Sequence, residues 1–118
     1  MAFDFDYVTE NEVRDAAEGV ETDDYTTPEI ESIANQFAGI LHLEVSRTTQ
    51  YTNGSREWNA GKTFILYKCQ AFILSHFPET AAKAAQAEEM AKSILEALKG
   101  ITKGKVSKTQ GMNNYKDE

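Results

Sequence analysis

The sequence predicts an all-α fold: a small bundle of about four helices with an extended N-terminal arm and an extended C-terminal tail. Three observations carry this. Four stretches repeat apolar residues at helical spacing, and three of them run into a stop signal, Gly19, Pro78 or Gly100. The first two stretches open on threonine caps. Only two segments, the short arm of residues 1–8 and residues 46–57, have a texture that strands would tolerate. A chain of 118 residues, 41% hydrophobic and 26% charged, suits one ordinary globular domain.

Residues 1–8 read as extended, because "FDFDY" alternates apolar and acidic residues as an arm with one buried face would. Thr9 caps a first helix, with Glu12 reaching back to its amide in a capping box and Val8 stapled to Val13. This helix runs to Glu18, and Gly19 stops it as a left-handed residue. Val20–Thr27 is a connector. Thr27 caps a second helix, with Pro28 in its first position and Glu29 in its first turn. Ile30, Ile33, Ala34, Phe37, Ile40 and Leu41 give it a strong apolar face to about Glu44.

Residues 46–57 form a long loop around the turn dipeptide Asn53-Gly54, and the flanking residues also permit a short hairpin. The third helix covers about Glu57 to Phe77. Its second half is apolar nearly all round, as in the central helix of a bundle or one at a subunit contact. Phe72 is either core or a surface reserved for a neighbour. Gly61 is a weak point or a close-packing site, and Pro78 ends the helix. The fourth helix spans about Glu79 to Lys99, with a stripe of Ala81, Ala84, Ala85, Glu88 and Ala91 leading to Ile94, Leu95 and Leu98; Gly100 closes it. Residues 1–100 are then a helical domain and residues 101–118 a polar, partner-binding tail. That tail has no helical period, but it carries spaced apolar residues, Val106, Met112 and Tyr115.

Net charge is −7, and its placement is uneven: residues 1–45 hold twelve acids against one base, Arg14, while residues 46–118 hold eleven bases against seven acids. Such a split suits head-to-tail packing of identical subunits, or simply a solvated acidic face. The acidic front half repels nucleic acid unless the fold segregates the signs. The apolar runs are too short to cross a bilayer, so no membrane is expected. Met1 is followed by acidic and aromatic residues and not by a basic segment, so no signal peptide is expected.

Candidate chemistry is sparse. Cys69 is the one cysteine, and within an apolar helix its thiol pKa should rise, the opposite of activation. His42 and His76 have no partner at metal-ligand spacing. Asp4–Asp6 and Thr22–Asp24 lack the oxygen spacing of a calcium loop. No nucleophile elbow or phosphate-cradling glycine loop is present. The expectation is a protein without catalysis and without cofactors.

One pattern remains. A short capped helix, "VTENEVRDAAEG", leads through an acidic linker into "TTPEIESIANQFAGIL". A long loop comes next, then "KTFILYKCQAFILSHFPE", the Ala-rich "AAKAAQAEEMAKSILEAL" and a polar tail. Over roughly residues 7–100, this order resembles the head–tail adaptor (connector) proteins of tailed phages and related viruses. The local texture adds "T-x-x-E-V-R" and the helix end Ala71, Leu74, Ser75, His76 and Pro78. The resemblance implies a structural virion protein of the neck, assembled in the host cytoplasm, that forms a ring, commonly a dodecamer, between the portal and the next neck or tail component. DNA would be only a passing strand in the channel. The tail would reach the portal through Lys103, Lys105, Val106, Lys108, Met112 and Tyr115. Arg47, Tyr51, Asn53, Gly54 and Arg56 of the loop would face a neighbouring subunit, the channel or the tail-side component.

Two other classes stay open. "YVTENEVRDAAEG" could open a helix-turn-helix, which would make the chain a small DNA-binding subunit for packaging or regulation. The next helix argues against this, since it offers Glu29, Glu31, Ser32, Asn35 and Gln36 where a DNA reader needs basic groups. The third class is a generic helical interaction protein.

Overall fold

The computed structural model describes residues 3–110, with side chains to Ile101. Four helices form the bundle: α1 (Glu10–Ala16), α2 (Thr27–Glu44), α3 (Arg56–Leu74) and α4 (Ala81–Gln110). A single 3-10 turn, Pro78–Thr80, joins the last two. No strand occurs among the described residues. The all-α bundle is as expected.

α1 begins on the expected capping box. Thr9 Oγ1 accepts from the Glu12 amide at 3.3 Å, and Glu12 Oε1 accepts from the Thr9 amide at 2.8 Å. Val8 and Val13 are both buried beside the cap. The helix ends earlier than Glu18. The Glu18 amide donates to Asp15 O and the Gly19 amide to Arg14 O, the bond pair of a Schellman motif. Glu18, at φ 61°, therefore holds the left-handed position expected for Gly19, which comes next at φ 73°.

α2 is capped by Thr26 and not Thr27. Thr26 forms a second capping box with Glu29, and Pro28 moves one position further in. Glu29 explains the choice, because only from Thr26 does it stand at the third helical position. α2 also ends in a Schellman motif: Ser46 N–H donates to Leu43 O at 3.2 Å and Arg47 N–H to His42 O at 2.8 Å. Ser46 sits at φ 58°, a strained conformation for a residue with a Cβ. Ser46→Gly is expected to stabilise the chain by about 0.5–1 kcal/mol, read as a higher urea midpoint with an unchanged slope. Ser46 is a cleaner site for this than Glu18, whose carboxylate also meets Lys83 at 2.6 Å.

The permitted hairpin does not form. Among the described non-glycine residues only Glu18 and Ser46 have positive φ, so Asn53 does not enter the geometry a two-residue hairpin turn requires. Gly54, at φ 85°, instead closes a turn with Ser55 N–H on Thr52 O at 3.0 Å. Ser55 Oγ then accepts from the Trp58 amide at 3.1 Å and caps α3. The turn opens a helix and leaves no room for a second strand.

The arm bends and is not a regular strand, yet its alternation holds. Phe3 and Phe5 are half-buried, Asp4 and Asp6 exposed, and Tyr7 and Val8 close the series in the core. α3 is the central helix and packs against α1, α2 and α4. Its helical hydrogen bonding stops at Leu74, three residues before the expected end. Phe77 is extended at φ −120° and ψ 119°, as a residue before proline prefers. Thr80 Oγ1 donates to Leu74 O at 2.8 Å and closes the end of α3.

α4 departs most from expectation. Gly100 does not close it; the helix continues through the first ten residues of the expected extended tail to Gln110. An interior glycine costs about 1 kcal/mol against alanine, but no proline comes after it. Residues 99–110 hold four lysines and no acid, which suits the negative end of the helix dipole. The buried stripe is also shifted. Ala84, Ala87, Ala91 and Leu98 are buried, with Ile94 and Leu95 half-buried, while Ala81, Ala85 and Glu88 are exposed. This is the three–four spacing of helices that pack along their length. The short connection makes α3 and α4 antiparallel, and Lys68 Nζ meets Glu88 Oε1 across them at 2.8 Å. At 1.5 Å per residue α3 spans about 28 Å and α4 about 45 Å. The C-terminal part of α4 therefore runs beyond the start of α3, along the 54 Å axis of the molecule.

Candidate functional site

The arm, the end of α2 and the 46–55 loop meet on one aromatic side chain. Tyr7 is 1% exposed. Its Oη accepts from the Tyr51 amide at 2.9 Å and lies 2.8 Å from His42 Nε2. The phenol oxygen, already accepting from the Tyr51 amide, can either donate its hydrogen to Nε2 or accept a second bond from it, so both tautomers of His42 satisfy the contact. His42 is 5% exposed. Burial first, and then the Arg47 charge, hold its pKa below the usual histidine value. Phe5 meets the His42 ring edge-on at a centroid distance of 4.6 Å. Below Tyr7, Gly61 provides the space: a Cβ there would stand 3.1 Å from Leu41 Cδ2 and 3.3 Å from Tyr7 Cε1. Of the two roles the sequence allows for Gly61, the structure shows close packing.

Around this hub the loop is tied down. Arg47 donates from Nε to Thr49 O at 3.0 Å and from Nη2 to Gln50 O at 3.2 Å, and its guanidinium lies 4.2 Å above the Tyr51 ring. Asp6 receives Nε2 of Gln50 and, at 3.2 Å, Nδ2 of Asn53. The Gln50 bond leads in holding the Asp6 carboxyl below its usual range. Arg47, Tyr51 and Asn53 are thus brought together against the arm. Tyr51 is 8% exposed and belongs to the core. Gly54 is the turn residue, and Arg56 is exposed on the first turn of α3. Tyr7 and His42 are not singled out as a site by the sequence. The one signal is that Tyr7 falls on the inward phase of the arm's alternation.

Lys103, Lys105, Val106 and Lys108 have their backbones in α4, and their side chains lie outside the described part. Met112 and Tyr115 lie outside the described residues. Lys99, at the root of this segment, reaches Glu44 Oε1 at 3.4 Å. The end of α2, the start of the loop and the projecting part of α4 therefore share one end of the bundle.

The uneven charges are partly matched within the chain. Lys62 pairs with Glu12, Lys83 with Glu18 and Lys99 with Glu44, each joining the basic half to the acidic half. Arg14, the lone base of the front half, holds Glu10 at 2.8 Å and donates to Val20 O and Tyr25 O, folding the acidic connector back onto α1.

A groove of about 560 Å³ lies between α2, α3 and α4, with Phe37, Ala71, Phe72 and Ala84 along it and the Lys68–Glu88 pair at its rim. Phe72 is 40% exposed, 6.2 Å from the Phe37 ring and 5.0 Å from the His76 ring. It is a surface residue. Phe72→Ala is expected to cost less than about 1 kcal/mol in urea unfolding, against about 3–5 kcal/mol for a fully buried ring.

Cys69 is fully buried, and burial pushes its thiol up to about 12, as expected for a core cysteine. Among the described residues no group of three or more His, Cys, Asp and Glu side chains is placed to hold a metal ion. No helix among them is long and apolar enough to cross a membrane. No protein-family model, curated protein or solved structure matches the chain.

Proposed function

We propose that the chain is a structural adaptor of a viral neck, one subunit of a ring between portal and tail. The reading rests on the element order that resembles the head–tail adaptors: a short capped helix, a connector, an amphipathic helix, a long loop, a central apolar helix and an Ala-rich helix. The observation that carries it furthest is the projection of α4. A helix that outruns its bundle, with four lysines between residues 99 and 110, is built to reach a second body. The portal is that body. Because the 46–55 loop lies at the same end as the root of the projection, it belongs to the portal side or the channel wall. It does not belong to the tail-side face. The half-exposed Phe72 groove, near the opposite end of α3, is then available to a neighbouring subunit. Acidic side chains toward the channel would let DNA pass without holding it.

Truncation after Ile101 tests the assignment of the projection. Leu98 is the last buried residue among the described side chains of α4, so the shortened chain should keep its helical bundle and melt within a few degrees of the full chain. It should no longer bind purified portal rings in co-sedimentation. A shortened chain that still binds as tightly as the full chain would remove α4 from the contact. Binding of duplex DNA that weakens steeply with salt would favour the DNA-binding alternative instead.

A further inference from the structure

We propose that Asn53-Gly54 is a self-modifying site: the folded chain exchanges the Asn53 side-chain amide for a carboxylate without an enzyme, and so sets a second negative charge against Asp6 where the loop meets the arm. The structure singles out this asparagine. Asn11, Asn35 and Asn59 lie inside α1, α2 and α3, where the amide of the next residue is bonded to the helix or its cap. Asn53 is exposed, and Gly54 is exposed beside it. A Cβ on Gly54 would meet no heavy atom within 4 Å, so the space around its nitrogen is open.

The peptide unit between the two residues is unengaged. Thr52 O takes the Ser55 amide at 3.0 Å, which fixes the two ends of the turn. Among the described residues neither Asn53 O nor the Gly54 amide has a hydrogen-bond partner. The unit can therefore rotate between its neighbours without breaking a bond, and such rotation brings the Gly54 nitrogen onto Asn53 Cγ. Gly54, at φ 85°, is the residue type that tolerates this freedom. The Asp6 contact does not block the approach. Asp6 Oδ2 holds the departing nitrogen, Nδ2, at 3.2 Å, and not the carbon that is attacked.

The step balances with water as its co-reactant. The Gly54 nitrogen loses its proton to solvent hydroxide and bonds to Asn53 Cγ. The Cγ–Nδ2 bond breaks, and Nδ2 takes a proton from water and leaves as ammonia. Water then opens the succinimide ring at either carbonyl, which leaves aspartate or isoaspartate. In both products the donor that faced Asp6 is gone, and a carboxylate, an acceptor only, stands in its place. Gln50 first, and Asn53 after it, hold the Asp6 carboxyl below its usual range. Losing the amide and gaining a like charge move it up. Both acids are ionised at neutral pH, so the repulsion is full there and fades as the pH falls through the raised values. Tyr7 and Val8 stay buried in the core, so the arm keeps its place and only its outer tie to the loop gives way.

The full chain is held at mildly alkaline pH, folded and in parallel unfolded in guanidinium chloride. Peptide mass spectrometry follows each asparagine over time, and an isoaspartate methyltransferase assay detects the isomer. The folded chain should lose the Asn53 amide at a rate within about tenfold of the unfolded one, as for a group that reacts without global opening. The rate should rise with pH, while Asn11, Asn35 and Asn59 keep their amides. Asn53→Gln, whose longer side chain closes the ring poorly, should gain no mass at that position. Asn53→Asp should move the Asp6 midpoint, read from its carboxyl resonance, upward. It should also lower the urea midpoint at neutral pH, a loss that shrinks in acid. The proposal is overturned if the folded chain converts more than about tenfold slower than the unfolded one, if Asn59 converts as fast as Asn53, or if Asn53→Asp leaves the Asp6 midpoint at its wild-type value. The site does not depend on the adaptor reading, since every readout is made on the isolated chain.

Discussion

Tyr7→Ala should destabilise the chain by about 3–5 kcal/mol, the cost of removing a large aromatic ring from a packed core. The size of the effect is unusual for a residue so close to the described start of a chain, and it comes from where the ring sits. Tyr7 fills the space that Gly61 leaves open beside Leu41 and also holds the Tyr51 amide and His42. The Ala variant loses the ring and both bonds together. Tyr7→Phe separates the two contributions. It keeps the ring and strands a buried amide and an imidazole nitrogen, at about 1–3 kcal/mol. Urea unfolding of both variants checks the pair. Losses below about 1 kcal/mol in both would mean that the arm is not part of the core.

The second large effect is expected at the α3–α4 contact. Ala91 is 0% exposed and is the last of three buried alanines, Ala84, Ala87 and Ala91, on the inward face of α4, whose main packing partner is α3. Ala91→Leu adds volume where there is none and should cost about 1–3 kcal/mol by overpacking. Ala85 lies on the exposed side of the same helix, so Ala85→Leu should stay within about 0.5 kcal/mol. Thermal melting of the two variants distinguishes a fixed interface from a loose one: equal shifts would contradict the burial of Ala91 and the exposure of Ala85.

The four helices were legible because each rests on local chemistry. Apolar period, cap and stop act over a few residues, and the α1 box of Thr9 and Glu12 reads directly from the string. The errors share a cause. At Thr26, Glu18 and Gly100 the sequence offers two adjacent or competing signals, and the choice depends on bonding partners or on the absence of a stronger breaker. Gly100 looks like a stop, but a glycine ends a helix only where the chain gains by turning. Here the next residues continue the helix to Gln110. The Asn53-Gly54 pair was rightly a turn, but a turn does not specify the next element; the Ser55 cap does. The Tyr7–His42–Tyr51 hub was illegible for a different reason. Its members are 35 and 44 residues apart along the chain, and no local pattern links them. The loop residues Arg47 and Asn53 looked available for a partner, whereas the fold engages both within the chain.

The central claim is that this bundle is a ring subunit that docks through the projecting end of α4. The most direct measurement is electron microscopy of the chain mixed with the portal protein of the same genome, with native mass spectrometry for the stoichiometry. The adaptor reading predicts a closed ring of copies seated on the portal, with the C-terminal part of α4 at the portal face. A chain that remains monomeric in the presence of portal and leaves it undecorated would contradict it.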